Sequence, residues 1–125
     1  FIVLLKNNEE GRSMLTACVC DFYESNGQRS AICFLDSGEN GFLSAHFLID
    51  RKHVLRYSLG EDRGTIRGAI EVGIGPHYFR PSQFWDFENS ERFSMDASTE
   101  AVEHNLILLD EFLGYGQRGQ IRVRP

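Results

Sequence analysis

The chain has 125 residues, of which 42% are hydrophobic and 25% are charged, a composition typical of one globular domain. Its formal net charge of −5 argues against nucleic acid as a partner, because the phosphate backbone attracts basic proteins. No apolar run approaches the roughly 20 residues that span a bilayer. These features exclude collagen, coiled-coil and membrane-spanning classes and predict a single soluble domain over residues 1–125.

Three cysteines, Cys18, Cys20 and Cys33, lie in apolar runs. Three is an odd number and too few for a disulfide framework, so the pattern predicts buried, reduced thiols in a cytoplasmic protein. On a strand, the Cys18-x-Cys20 spacing would place two thiols on one face, where they could ligate a metal. No matching second pair of ligands follows, and we predict neither a metal nor a cofactor.

Short apolar runs in the first third of the chain predict strands. Phe1–Leu5 is one such run. Ser13–Tyr23 has apolar residues at both odd and even positions, the pattern of a central strand covered on both sides. Asn26 and Gly27 then form a strong hairpin signal, and Arg29–Leu35 follows as the expected partner strand.

The middle of the chain predicts further strands separated by turns. Asp36–Gly41 has turn composition. Phe42–Ile49 and His53–Leu59 form a second pair of apolar runs, although a helix over the first of them stays open because short apolar runs are ambiguous. Thr65–Ile74 alternates apolar residues with others, as a half-buried strand does.

The last third of the chain predicts one long helix. His77–Met95 is dense in aromatic residues, and we assign it no regular structure but expect its rings to pack on the sheet. Asp96–Leu113 has apolar residues at helical spacing, with Asp96 or Ser98 as N-cap and Gly114 at its end. Ile121–Val123 is a candidate last strand. The predicted fold is α+β, an antiparallel meander of five to seven strands with a C-terminal helix packed on one face.

Negative charge is concentrated between Asp86 and Glu111, where eight acids accompany the single base Arg92 and give a net charge of −7. The remaining residues sum to +2. Within the predicted helix, Ile107 falls among the acids of the face opposite the leucines. An apolar residue surrounded by acids is typical of a binding patch for a basic protein, and the alternative is a solubilising face.

A catalytic alternative rests on the sequence His77-Tyr78-Phe79-Arg80. A histidine acting as acid–base beside an arginine that binds an anion suits phosphoester cleavage. A meander could bring further bases to the same place, namely His46, His53, Arg56, Arg63 and Arg67. Alternate residues that simply face solvent on a strand would give the same pattern without any catalytic role. No diagnostic nucleotide-binding or hydrolase motif is present.

The layout resembles small acidic immunity proteins encoded beside bacterial polymorphic or contact-dependent toxins. The antiparallel run from Met14 to Ile74, the aromatic stretch Phe84–Phe87 and the closing helix Ala101–Leu113 carry the resemblance, which covers most of the chain without any shared motif. It implies a non-enzymatic cytoplasmic protein that binds a basic nuclease-type toxin domain. The alternatives are a small phosphodiesterase or nuclease using His77 and Arg80, and a homo-oligomeric protein, such as a homodimer, with Ile107 at the subunit contact.

The predicted partner-binding residues come from the acidic segment. They are Trp85, Asp86, Glu88, Glu91, Glu100, Glu103, Ile107, Asp110 and Glu111.

Overall fold

The computed structural model describes residues 8–25, 29–39 and 42–114. In chain order its elements are α1 (Asn8–Ser25), β1 (Ala31–Glu39), β2 (Phe42–Ile49), β3 (His53–Asp62), β4 (Thr65–Ile74), β5 (His77–Phe79), α2 (Pro81–Phe84), α3 (Phe87–Ser90) and α4 (Thr99–Leu113). Predicted strands over Phe1–Leu5 and Ile121–Val123 lie outside the described residues, as does the Asn26-Gly27 turn.

The five strands form one antiparallel sheet in the order β1-β2-β3-β4-β5, so every strand pairs with its neighbour in sequence. Asp50 and Arg51 adopt positive φ angles of 53° and 59° and turn the chain between β2 and β3. Gly75, with φ of 61°, turns it between β4 and β5. The structure confirms the α+β class, the meander and the strands predicted over Phe42–Ile49, His53–Leu59 and Thr65–Ile74.

The prediction of a strand over Ser13–Tyr23 is wrong, because this segment lies inside helix α1. Leu15, Val19, Phe22 and Tyr23 are buried, and their spacing of four, three and one is that of a helix face. Cysteines and alanine on the flanks made both strand faces look apolar and hid this period. The strand predicted to pair with this segment therefore pairs with β2 instead.

Strand β1 also runs further than the sequence predicts. Pairing with β2 continues to Glu39, opposite Phe42, so the predicted turn over Asp36–Gly41 is wrong for its first four residues. The register shifts between Cys33 and Leu35, which marks a bulge.

The core lies between one face of the sheet and helices α1 and α4. Alternate residues of the three central strands are buried on that face, namely Leu43, Ala45, Phe47, Ile49, Leu55, Tyr57, Leu59, Ile66, Ile70 and Val72. Helix α4 contributes Val102, Leu106, Leu109 and Leu113 to the same cluster. On the opposite face of the sheet, Ile32 and Phe34 are half exposed.

The aromatic segment after β5 folds into two short helices whose rings partly complete the core. Phe84 is buried and its ring centroid lies 4.7 Å from that of Phe112 on α4. Trp85 packs on the same Phe112 ring at 5.3 Å and on Phe93 at 6.1 Å. Phe87 is an exception to the expected ring packing, since it is largely exposed.

Helix α4 begins and ends at capping residues that the sequence predicts. Ser98 is the N-cap, and its hydroxyl accepts a hydrogen bond of 3.1 Å from the Ala101 amide. Gly114 ends the helix in the left-handed conformation. Asp96 lies before the helix because it bridges to Arg67 along β4.

Substitutions on α4 test the assignment of its faces. Leu106→Ala or Leu109→Ala should lower the free energy of unfolding by about 2–5 kcal/mol, because each side chain is buried and leaves a cavity. Glu103→Ala, on the exposed face, should cost less than about 0.5 kcal/mol. Denaturant titration measures all three, and equal losses would contradict the assignment.

Candidate protein-binding surface

Ile107 occupies the outward face of α4, with 52% of its surface exposed. At roughly 100° per residue, Asp110 lies about 60° to one side of it and Glu111 about 40° to the other. Glu103 and Glu100 are exposed one and two turns nearer the start of the helix, respectively. Four of the predicted acids therefore surround Ile107, as the sequence predicts.

Two of those four acids are paired with arginines. Asp110 accepts from both terminal nitrogens of Arg29, one at 3.1 Å from Nη1 to Oδ1, and the two side chains are only 14% and 19% exposed. Glu111 pairs with Arg92 through Nη2 and Oε2 at 3.1 Å, and those side chains are 45% and 51% exposed. The two ion pairs therefore neutralise the surface on the C-terminal side of Ile107.

Net negative charge lies instead in a groove between α1 and α4. The groove has a volume of about 400 Å³, and its lining includes Asp21, Glu100 and Glu103 around Cys18 and Phe22. Burial raises the pKa of the Cys18 thiol, and the nearby carboxylates of Asp21, Glu103 and Glu100 raise it further. Sequence reasoning missed Asp21 as a member of this surface because its segment was predicted as a strand.

The remaining predicted residues divide between structural and exposed positions. Asp86 caps α3, since its carboxylate accepts from the Asn89 amide at 2.9 Å, and Trp85 packs in the aromatic cluster. Glu88 is exposed on α3, and Glu91 lines a separate pocket beside β4. The predicted surface is therefore not continuous from Trp85 to Glu111.

The meander does gather part of the predicted basic cluster on the open face of the sheet. His46 Nδ1 lies 2.7 Å from the Tyr78 hydroxyl, and the Arg56 guanidinium carbon lies 4.1 Å from the centre of the Tyr78 ring. Arg56 Nε donates to Glu71 Oε1 at 2.7 Å. Burial raises the pKa of Tyr78, Arg56 opposes that rise, and Glu71 adds to it.

His77 and Arg80 do not join this cluster. His77 precedes Tyr78 on β5 and so projects to the opposite side of the strand, where its ring lies 6.4 Å from the Phe79 ring. Arg80 is exposed at the start of α2. His77 is thus separated from His46 and Arg56 by the sheet, and Arg80 lines a pocket beside β4 that contains neither His46 nor Arg56.

Cys20 and Cys33 lie near each other, whereas Cys18 lies on another side of α1. Because α1 is a helix, Cys18 and Cys20 point about 200° apart, so the expected shared face is wrong. The Cys20 thiol donates to the Ala31 carbonyl at 3.2 Å, and burial is the main cause of its raised pKa. All three cysteines are half-buried, without a disulfide. Across the described ranges, no three histidine, cysteine or acidic residues group as metal ligands.

The sequence matches no family model and no curated protein, and the fold matches no solved structure. Among the residues that the structure describes, no helix has the length and hydropathy needed to cross a membrane. The surface is therefore interpreted from its own geometry.

The two ion pairs beside Ile107 should differ in strength because they differ in burial. A double-mutant cycle of Arg29→Ala and Asp110→Ala should give a coupling free energy of about 1–3 kcal/mol. The matched cycle of Arg92→Ala and Glu111→Ala should give less than about 1 kcal/mol, since its side chains are half exposed. Urea unfolding measures both cycles, and equal coupling would show that burial does not distinguish the pairs.

Proposed function

We propose that this chain is a non-enzymatic binding domain, an immunity protein that neutralises a basic, nuclease-type toxin domain in the cytoplasm. One observation carries the proposal: exposed Ile107 lies on the same helix as Glu100 and Glu103, which line an acidic groove. Among the described residues, none with a basic side chain lines the groove.

The apolar and acidic parts of this surface have different roles in the proposed complex. Ile107 serves as an anchor that is desolvated on docking, and a flanking rim of paired charges helps to exclude water from it. Glu100, Glu103 and Asp21 attract the basic partner from a distance and accelerate association. Asp110 has no such role, because it is already committed to Arg29.

The groove's charge can be tested without the partner, through the thiol of Cys18. In a Cys20→Ser, Cys33→Ser background, a cationic methanethiosulfonate reagent should label Cys18 at least about fivefold faster than an anionic one at low salt, since carboxylates attract the cation. Glu100→Gln with Glu103→Gln should reduce this ratio.

A matched neutralisation, Glu88→Gln, should leave the labelling ratio unchanged, because that side chain is exposed away from the groove. Mass spectrometry measures both rates. Equal labelling by the two reagents would mean that the groove is not electrostatically distinct, and the proposal would lose its support.

Binding kinetics test the complex itself. We expect the adjacent open reading frame to encode a basic toxin domain that binds this chain. Glu100→Gln with Glu103→Gln should slow association and weaken its dependence on salt, because the Debye length falls from ~10 Å at 0.1 M to ~3 Å at 1 M. Ile107→Ala should instead speed dissociation, because an apolar anchor acts after docking.

Surface-binding kinetics at two salt concentrations separate these effects, with Glu88→Gln as the charge control. If the Glu100→Gln, Glu103→Gln variant associates as fast as wild type at low salt, the acids serve only to keep the surface soluble. If the chain forms a dimer in solution and Ile107→Ala converts that dimer to monomers, the homo-oligomer alternative is favoured instead.

A further inference from the structure

A second pocket lies at the outer edge of β4, on the side of the strand away from β3. Its volume is about 320 Å³, and its lining includes Gly68, Ala69, Ile70, Arg80, Glu91 and Met95. The chain returns to β4 at both ends of the pocket. At one end β5 pairs Phe79 with Val72, and at the other the Gly68 amide donates to the Met95 carbonyl at 2.7 Å.

Ile70 contributes its backbone to this pocket. Its side chain is in the hydrophobic core, and the residue is only 3% exposed. The backbone groups of alternate strand residues point to the same side, so the N–H and C=O of Ile70 point outward like those of Gly68 and Val72. Within the described ranges, no residue pairs with Ile70 along this edge.

The local sequence explains why the ladder stops here. After Phe79 the chain reaches Pro81, which lacks an amide hydrogen and begins α2. A proline cannot donate to the Ile70 carbonyl, and the chain leaves the sheet. The pocket therefore occupies a place where one strand residue is missing.

Two opposite charges line the same pocket. Arg80 and Glu91 are both exposed, and neither forms an ion pair with a residue in the described part of the chain. One can bind a carboxylate and the other an ammonium group. A ligand that pairs with both side chains therefore carries both a carboxylate and an ammonium group.

We propose that this pocket binds a short zwitterionic peptide in an extended conformation. The ligand lies parallel to β4, so that the carbonyl of its first residue accepts from the Ile70 N–H and the N–H of its third residue donates to the Ile70 C=O. The terminal carboxylate binds Arg80 and the terminal ammonium binds Glu91. Gly68 and Val72 are four residue steps apart, a span of about 13 Å, which fits a peptide of three residues.

This inference does not depend on the proposed toxin-binding function. The pocket shares only Glu91 with the residues predicted to bind the partner, and it lies apart from the groove between α1 and α4. Each proposal can fail while the other stands.

The test is a titration of the full chain with the tripeptide alanyl-alanyl-alanine, followed by ¹⁵N-edited NMR. We expect saturable shifts centred on the Ile70 amide. Arg80→Gln or Glu91→Gln should each weaken binding by at least about threefold. Arg67→Gln and Glu88→Gln, exposed charges that do not line the pocket, are matched controls and should bind like wild type.

Two further measurements separate the pocket from unspecific peptide binding. Ser82→Phe places a ring at the exposed rim and should abolish the Ile70 shift while the remaining spectrum stays native. The acetylated, amidated tripeptide, which lacks both end charges, should bind at least about threefold more weakly. Absence of a saturable shift at Ile70, or equal binding of the charged and blocked tripeptides, would overturn the proposal.

Discussion

The buried amide of Asn105 is the interaction on which the arrangement of the helices and sheet depends. Its Nδ2 group donates to the Tyr57 hydroxyl on β3 and to the Ser94 carbonyl, both at 2.9 Å, and its Oδ1 accepts from the Ser94 amide at 2.8 Å. Burying an amide without partners costs about 1–3 kcal/mol by mutational measures, so these bonds must form together. The same burial raises the pKa of Tyr57 to about 12, which keeps the hydroxyl protonated.

This constraint sets the rotation of α4 about its own axis, and the rotation decides which residues meet solvent. With Asn105 held against Tyr57, Leu106 and Leu109 enter the core and Ile107 is left outside. A rotation that buried Ile107 would pull the amide away from its three partners. Exposure of this one apolar residue is therefore a consequence of a satisfied polar contact on the other side of the helix.

Local patterns predicted those parts of the fold whose burial repeats in sequence. Strands β2 to β4 each present alternate residues to one covered face, and α4 has leucines at helical spacing between Ser98 and Gly114. Helix α1 was not predicted, because small and sulfur-containing residues beside Leu15 and Val19 made both the odd and the even positions of the segment apolar. The candidate site was harder to predict than the fold. Arg29 pairs with Asp110, which lies 81 positions further along the chain, and a sum of charges along the sequence does not reveal such a pair.

The eight acids between residues 86 and 111 therefore have different physical reasons to be there. Asp86 caps a helix, and Asp110 and Glu111 neutralise arginines, whereas Asp96 pairs with β4 through its backbone. Glu88 and Glu100 lie in first helical turns, where the helix dipole favours a carboxylate. Glu91 lines the β4 pocket, whereas Glu103 lies beyond the first turn of α4 and makes no ion pair in the described structure. Since stability gives no reason for Glu103 to line the groove, Glu103 is the acid whose position the proposed binding of a basic partner would explain.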